Sequence, residues 1–308
     1  MGLSPDLIVC RSTQPLAASV KEKISLFCHV APENVISVHD VSNVYRVPLI
    51  LQPQGMTDLI LKRLGLYQSD IRKNLDLDAW TKLADVADRL ANSSTPIHIA
   101  LVGKYTDLSD AYLSVINSLQ HAALAVEEKV IIDWIDASQL EPNTKESDPQ
   151  AYEKSWITLQ NAHGILVPGG FGDRGVEGKI LACNYARTKN VPYLGICLGL
   201  QIAVIEVARN VLGWKSANSA EFKEGAQPAV VVYMPEISKT QMGGTMRLGK
   251  RKTVFRDKDS IMYKLYGNRD IIEERHRHRY EVNPDLAPEI EKKSALRFVA
   301  QDESGMKK

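Results

Sequence analysis

Apolar residues follow two kinds of spacing along this chain. Short, continuous apolar runs predict strands covered on both faces, at residues 7–10, 35–39, 97–102, 130–135, 165–167 and 193–196. Between these runs, apolar residues recur every three or four positions, which predicts helices, at residues 16–28, 48–64, 109–126, 149–160, 176–188 and 200–207. Strands that alternate with helices form a parallel sheet with helices on both faces. The pattern therefore predicts an α/β fold.

A polar stretch divides the chain into two parts. Residues 66–96 are mostly polar and end in the turn-forming residues 92–96. We therefore predict one domain at residues 1–92 and a second at residues 93–308. Within the first, residues 1 to about 65 form one piece of a parallel α/β layer, which is too small to be a complete domain by itself. Near the end of the second, residues 296–300 predict a final strand.

Composition and charge exclude several classes of protein. The chain has 38 basic and 37 acidic residues, so charge gives no case for a nucleic-acid polymer or a membrane as partner. We find no apolar stretch long enough to span a bilayer and no signal peptide. Four scattered cysteines form neither a disulfide framework nor a zinc pattern, which predicts reduced thiols in the cytoplasm. Three of them are interpreted as small buried hydrophobes: Cys10, Cys28 and Cys183.

Cys197 is the candidate nucleophile. Gly195 and Gly199 flank it at two residues on either side, where the predicted strand passes into a helix. This is the layout of a nucleophile elbow, a tight turn that directs the nucleophile out of the sheet. The first N–H groups of the following helix have no partners within it, and we expect their positive field to favour the thiolate.

Attack of a thiolate on an amide also requires donors for the oxyanion. The N–H of Leu198, directly after Cys197, is one predicted donor. The loop at Gly169 and Gly170 offers another, since glycine lets a backbone approach closely. Because ligands of parallel sheets bind at the carboxyl ends of the strands, we expect the loops at residues 103–110 and 168–175 to meet Cys197 there.

A base is the remaining requirement, and His276 and His278 are the histidines that follow Cys197. They belong to a densely charged run, a pattern that is also typical of a solvated edge strand without a catalytic role. Alternation along a strand places them on the face opposite Arg279. An arginine on such a face suits a substrate carboxylate.

Several segments together resemble the CTP synthase family: residues 168–172, 195–201, 218–222, 242–249 and 275–283. The elbow alone indicates a class I glutamine amidotransferase, and the last two segments make the resemblance specific. Residues 2–12 and 23–28 are similar to the end of the family's synthetase domain. The resemblance implies a class I glutamine amidotransferase-like glutaminase domain at residues 93–308. It also implies a fragment of a Rossmann-like synthetase domain, with a linker, at residues 1–92.

The resemblance implies a role for each matching residue. Cys197 would be the glutaminase nucleophile, with Gly170 and Leu198 as oxyanion donors. Arg279 would bind the carboxylate of glutamine and Glu221 its amino group. The residues implied to line the glutamine site are Gly170, Leu198, Gly199, Leu200, Gln201, Glu221 and Arg279. Those implied to contact nucleotides are Lys23, for UTP or the inhibitor CTP, and His39, Asp40 and Val41, for the adenine of ATP.

The activity implied by the resemblance is the amination of UTP to CTP. ATP activates the uracil O4, and ammonia from L-glutamine displaces the phosphate. The resemblance also implies Mg²⁺ with ATP, GTP as activator, and a homotetramer that stacks into filaments.

Two parts of the family pattern are missing from the sequence. The phosphate-binding loop and magnesium carboxylates have no match, and neither does the Tyr-His-Pro-Glu segment that supplies the base. We therefore expect no metal ligands and a chain that is catalytically deficient by itself. Two alternatives stay open: a non-catalytic assembly or regulatory fragment of CTP synthase, and a free-standing cysteine amidohydrolase.

Overall fold

The computed structural model describes residues 4–66, 76–104, 106, 109–234 and 247–302, without the side chains of Arg247, Leu248 and Arg277. The strands within these residues are β1 Ile8–Ser12, β2 Val35–His39, β3 Ile97–Gly103, β4 Val130–Asp136, β5 Gly164–Val167, β6 Tyr193–Gly195, β7 Asn218–Ser219, β8 Ala229–Tyr233, β9 Arg247–Phe255, β10 Ile271–His278, β11 Tyr280–Val282 and β12 Ala300–Gln301. The α-helices are α1 Ala18–Cys28, α2 Val47–Leu51, α3 Met56–Arg63, α4 Asp78–Ala91, α5 Leu113–Val126, α6 Pro142–Ser147, α7 Pro149–Asn161, α8 Val176–Lys189, α9 Leu198–Asn210, α10 Ile261–Leu265 and α11 Ala287–Lys293.

These elements form two compact units. The first consists of Met1–Pro96 with Ser118–Lys129, and the second of Ile97–Asn117 with Val130–Lys308. The division into domains at residue 92 stays a prediction.

A pair of parallel strands organises the first unit. β1 pairs with β2 from Ile8 opposite Val35 to Ser12 opposite His39. The side-chain amide of Gln54 bonds the other edge of β2: it donates to the Ser37 carbonyl at 2.8 Å and accepts from the Ser37 N–H at 2.9 Å. Gln54 thus satisfies backbone groups that a further strand would otherwise bond.

The second unit is built on a four-stranded parallel sheet in the order β4-β3-β5-β6. Consecutive residues Ile165, Leu166 and Val167 of β5 are all at most 2% exposed, so both faces of this central strand are covered. The apolar run at these positions had predicted such a strand. The predicted α/β class, with helices on both faces of a parallel sheet, is confirmed.

Two smaller sheets complete the second unit. The sheet β11-β8-β7 is mixed, and the sheet β10-β9-β12 is antiparallel. One core joins α9 to the first of these sheets and to α11, and its buried members include Ile202, Ile205, Val230, Val231 and Ile290. A separate core lies between the parallel sheet, α7 and α8, and includes Val102, Ile135, Leu159, Val167 and Ala182. The core on α9 matters for the site, because it fixes the helix that follows Cys197.

Two predicted elements differ from the structure. The single helix predicted at residues 48–64 is divided into α2 and α3, because Gly55 adopts a left-handed φ of 73° between them. The strand predicted at residues 296–300 begins only at Ala300. Just before it, the Phe298 N–H bonds the Glu291 carboxylate at 2.9 Å, which ties the backbone to α11 rather than to a strand.

Candidate active site

Cys197 occupies a tight turn between β6 and α9. It is the N-cap of α9, with φ 55° and ψ −104°. A non-glycine residue rarely adopts this backbone conformation, and it persists only where the surrounding structure imposes it. This is the strand-to-helix elbow that the sequence predicted.

The two glycines that flank Cys197 are required by close backbone contacts. A Cβ atom on Gly195 would lie 2.4 Å from the carbonyl of Gly199. A Cβ atom on Gly199 would lie 2.1 Å from the carbonyl oxygen of Val167, on the neighbouring strand β5. The same carbonyl accepts a hydrogen bond from the Ile196 N–H at 3.0 Å. The Gly-x-Cys-x-Gly spacing is therefore a consequence of how closely the turn approaches β5 and the start of α9.

The electrostatics of the sulfur differ from the expectation. Cys197 is an exposed residue, yet burial raises the pKa of its thiol above the ordinary value. The backbone N–H of Leu198 acts in the opposite direction, and the Glu221 carboxylate adds to the increase. The N–H group at the start of α9 thus favours the thiolate as expected, but desolvation outweighs it and the net pKa is raised.

The double-glycine loop after β5 lies against the elbow. A Cβ atom on Gly169 would lie 3.3 Å from the Cβ of Cys197, and one on Gly170 would lie 3.7 Å from Leu198 Cδ2. The structure thus brings together Cys197, Leu198 and the loop that the sequence predicted to supply oxyanion donors. Leu198 and Gly199 are buried, whereas Leu200 is exposed at the surface of the turn.

Charged groups of opposite sign surround Tyr280, at the start of β11. Burial raises the pKa of its phenol, Glu221 raises it further, and Arg279 lowers it. The side chain of Gln201, on α9, donates to the Tyr280 carbonyl at 3.1 Å. Glu221 and Arg279, which were predicted to bind glutamine, therefore lie near one tyrosine that the sequence analysis did not single out.

Lys104 is a second residue that the sequence analysis missed. It follows β3, and its Nζ donates to the carbonyls of Phe171 and Gly172, at 2.6 Å for the latter. The loop at residues 103–110 had been expected at this edge of the sheet, but an isolated lysine in it carries no recognisable signal.

The predicted nucleotide contacts belong to the first unit. Lys23 is exposed on α1. His39 ends β2, and its buried Nδ1 has no hydrogen-bond partner within the part of the chain that the structure describes. Asp40 forms an ion pair with Arg11, and Val41 is half-buried. The assignment of these four residues to nucleotides stays a prediction.

His276 and His278 lie on β10, an edge strand that pairs with β9. Their rings contact each other with centroids 5.4 Å apart. Arg279 lies between β10 and β11, so the strand alternation that placed it opposite the two histidines ends before it. Residues 242–246, which helped to identify the family, lie outside the described residues.

Neither a metal centre nor a membrane span is found in the described part of the chain. It contains no group of three or more histidine, cysteine or carboxylate side chains placed to hold a metal ion. Of the helices described, none combines the length and the apolar character needed to cross a bilayer.

Comparison with known proteins identifies both parts of the chain. Residues 107–306 match the family of class I glutamine amidotransferases, and residues 1–66 match the CTP synthase N-terminus. The chain belongs to the class I glutamine amidotransferase family. It is 57% identical to the CTP synthase of Dictyostelium discoideum over 100% of this chain and 56% of that protein. It is 55% identical to CTP synthase 1 of Homo sapiens over 99% of this chain and 51% of that protein.

A solved structure agrees with this amidotransferase assignment. The glutaminase domain of Trypanosoma brucei CTPS with bound acivicin matches with a TM-score of 0.59 and 42% identity. The match covers 66% of this chain and 74% of the other. The resemblance to CTP synthase drawn from the sequence is thereby confirmed. The chain spans about half the length of the curated relatives it matches.

Proposed function

We propose that the Cys197 site hydrolyses the side-chain amide of L-glutamine. The observation that supports this most directly is the strained Cys197 at the start of α9, with the Leu198 N–H on its sulfur and the double-glycine loop beside it. A thiol at such a turn, opposite backbone donors, suits attack on an amide carbonyl.

The reaction proceeds through a thioester. The Cys197 sulfur bonds to the amide carbon, and the oxyanion that forms is stabilised by the N–H groups of Leu198 and Gly170. The C–N bond then breaks, and the nitrogen leaves as ammonia after it takes up a proton. Water attacks the thioester, which releases glutamate and restores the thiol. Because burial raises the pKa of Cys197, a base is needed to remove its proton at neutral pH.

Recognition of glutamine requires groups for both its charges. Glu221 binds the ammonium group, and Arg279 binds the carboxylate through its planar guanidinium. Their common neighbour Tyr280 supports this assignment, because the charges of both residues affect the pKa of its phenol. Gln201 holds the Tyr280 backbone and completes the wall of the site.

In the whole enzyme, the ammonia aminates UTP to CTP with ATP, and GTP activates the glutaminase. Lys23 contacts UTP or CTP, and His39, Asp40 and Val41 border the adenine of ATP. The buried Nδ1 of His39, which has no hydrogen-bond partner among the described residues, is one polar atom that such a ligand would satisfy. We place this enzyme in the cytoplasm, where its four cysteines stay reduced.

We also propose that copies of the chain associate, as a homotetramer or filament. Leu26 and Phe27 on α1 are 72% and 75% exposed, and such adjacent apolar side chains suit a protein contact. Static light scattering tests this: the expected mass is a multiple of the 34.3 kDa chain. A concentration-independent monomer would contradict it.

We expect the chain by itself to form the covalent enzyme adduct far more readily than it turns over. The family's histidine–carboxylate base is not matched, and loss of such a partner costs about 10³-fold or more in turnover. Both activities are measurable on the purified protein.

The test combines ammonia release with alkylation by a diazo-ketone analogue of glutamine. We expect stoichiometric labelling of Cys197, slowed by free L-glutamine, together with little ammonia release. Cys197→Ser should abolish labelling, whereas Cys10→Ser, a substitution at a half-buried cysteine, should leave it intact. Labelling that glutamine does not slow, or that falls on another cysteine, would contradict a glutaminase site.

A further inference from the structure

Lys104 lies almost completely inside the protein, beside the oxyanion loop. Only 6% of it is exposed, and its N–H donates to the hydroxyl of the buried Tyr112 at 3.1 Å. This hydrogen bond fixes the backbone of Lys104 at the end of β3, independently of the contacts of its side chain. The side chain then extends to the loop that follows β5, the neighbour of β3 in the sheet.

One peptide unit of that loop is bonded at both of its ends. The carbonyl of Phe171 accepts a hydrogen bond from Lys104 Nζ. The N–H of the same peptide, which belongs to Gly172, donates to Glu221 Oε1 at 3.3 Å. Lys104 Nζ also donates to the Gly172 carbonyl at 2.6 Å. A cation therefore lies at the negative end of the peptide dipole and a carboxylate at its positive end.

This arrangement opposes rotation of the peptide. If the Phe171–Gly172 peptide flipped, its carbonyl would face the Glu221 carboxylate and its N–H would face the Lys104 ammonium, so both contacts would become repulsive. A glycine-rich loop needs such a constraint, because glycine adopts left- and right-handed conformations with similar ease. Gly172 itself has a φ of 75°. The peptide lies directly after Gly169 and Gly170, which border Cys197 and Leu198.

We propose that Lys104, together with Glu221, fixes the orientation of the Phe171–Gly172 peptide and is thereby a positioning residue for the oxyanion loop. This inference rests on the proposed glutaminase function. Lys104 contacts neither the sulfur nor the substrate in this scheme. It acts by keeping the Gly170 N–H aimed at the oxyanion that forms on the Cys197 adduct.

Burial makes this contact stronger than it would be at the surface. Burial lowers the pKa of Lys104, while the nearby carboxylates of Asp173 and Glu221 raise it. A desolvated ammonium bonds carbonyl oxygens more strongly than a hydrated one, since water no longer competes for its protons. Loss of the ammonium would leave the Phe171 and Gly172 carbonyls without their charged donor.

The test compares two electrophiles that react with the same thiol. With the diazo-ketone analogue of glutamine, an S–C bond forms, the C–N bond breaks, N₂ leaves, and the thiol proton is transferred to the methylene carbon. The ketone oxygen of this reagent occupies the oxyanion position. With iodoacetamide, an S–C bond forms, iodide leaves and the proton goes to water, and no oxyanion donor is needed.

We expect Lys104→Met to slow the diazo-ketone reaction about 100-fold, because a small misplacement of a catalytic group has this effect. The rate with iodoacetamide should stay close to that of the parent chain. Lys104→Arg should recover most of the diazo-ketone rate, because the guanidinium also donates to two carbonyls. Lys104→Gln provides a second neutral variant if the methionine variant does not fold.

Lys129→Met is the matched control. Lys129 also donates to two backbone carbonyls, of Ala91 at 3.1 Å and Ser93 at 3.0 Å, but in the first unit. Its substitution should change neither reaction. An equal loss with both electrophiles in the Lys104 variants, or no loss with either, would overturn the positioning role. If the parent chain itself shows no labelling that glutamine slows, the glutaminase proposal fails instead.

Discussion

At the scale of single residues, the site region contains two buried lysines with different surroundings. Lys104 donates to carbonyls of the oxyanion loop, as described above. Lys179, on α8, is only 1% exposed, and its pKa is lowered to about 8, mainly by burial. The charge of Lys104 contributes to this decrease, and the carboxylates of Asp136 and Glu141 oppose it. A lysine so placed destabilises the folded state whenever it is protonated.

The burial of Lys179 predicts that Lys179→Met increases the free energy of unfolding by an amount that depends on pH. The pKa of about 8 in the folded state lies below the ordinary 10.5, so the unfolded chain binds more protons between these values. Stability from this group therefore rises with pH across that window, and the whole penalty is present below it. At neutral pH the methionine variant should be about 3 kcal/mol more stable.

Urea unfolding between neutral and alkaline pH measures this effect as a difference between variant and parent. We expect the difference to shrink as the pH rises through the window. Lys189→Met, on the exposed surface of the same helix, should change stability little at any pH. A Lys179→Met protein that is no more stable than the parent at neutral pH would contradict the predicted penalty for the protonated lysine.

At the scale of elements, the elbow depends on α8 and α9 being held together. Glu206 on α9 is 0% exposed, and its carboxylate accepts hydrogen bonds from Arg187 and Asn184 of α8, both at 2.8 Å. Burial alone would raise the pKa of Glu206, but these donors outweigh it and the pKa is lowered. The ionised pair fixes the helix that carries the nucleophile at its first turn.

Because α9 approaches β5 closely at Gly199, we expect this position to tolerate no side chain. Gly199→Ala would place a Cβ atom 2.1 Å from the Val167 carbonyl oxygen, so the elbow must shift or open. We expect a loss of about 3 kcal/mol or more in the free energy of unfolding. In Gly170→Ala the new Cβ would meet only Leu198 Cδ2 at 3.7 Å, an ordinary contact. This control should stay within about 1 kcal/mol of the parent.

Thermal and urea unfolding of the two alanine variants provide the measurement. Equal stability of the two would mean that the turn relaxes without cost. In that case the contact with Val167 would not be what demands a glycine at residue 199.

At the scale of the whole molecule, burial is distributed unequally between the two units. Among the described residues of the first unit, only Val35, Ile36, Ser37 and Ala84 are buried. The second unit contains the cores around α9 and the parallel sheet. Because buried apolar surface is the main source of stability, the first unit should open at a lower free energy than the second.

Hydrogen exchange of the intact chain tests this difference. We expect the amides of β2 to exchange about 100-fold faster than those of β5, relative to their intrinsic rates. The comparison is internal, since both strands are parallel and both are measured in one sample. Equal protection of the two strands would show that the first unit shares the stability of the second.

The sequence predicted most of the parallel sheet, because continuous apolar runs are typical of strands covered on both faces. It predicted Cys197 from the flanking glycines at a strand-to-helix transition, and the loop at Gly169 and Gly170 from its place after a strand near that elbow. It did not predict Lys104 or Tyr280, because Lys104 bonds the distant loop at Phe171 and Gly172, and Tyr280 is linked to Gln201 and Glu221, which are also distant in the chain. It missed the division of the helix at Gly55, which depends on one left-handed residue.

By itself, the sequence determined the α/β class, the elbow at Cys197 and the relationship to CTP synthase, since these depend on local patterns and on short sequence motifs. Only the tertiary structure decided that the pKa of the thiol is raised, because desolvation depends on the atoms that surround the sulfur. It likewise decided that Lys104 and Glu221 hold opposite ends of one peptide. Their bonds to the loop at Phe171 and Gly172 join three separate parts of the chain, and no periodicity or spacing in the sequence predicts such a long-range contact.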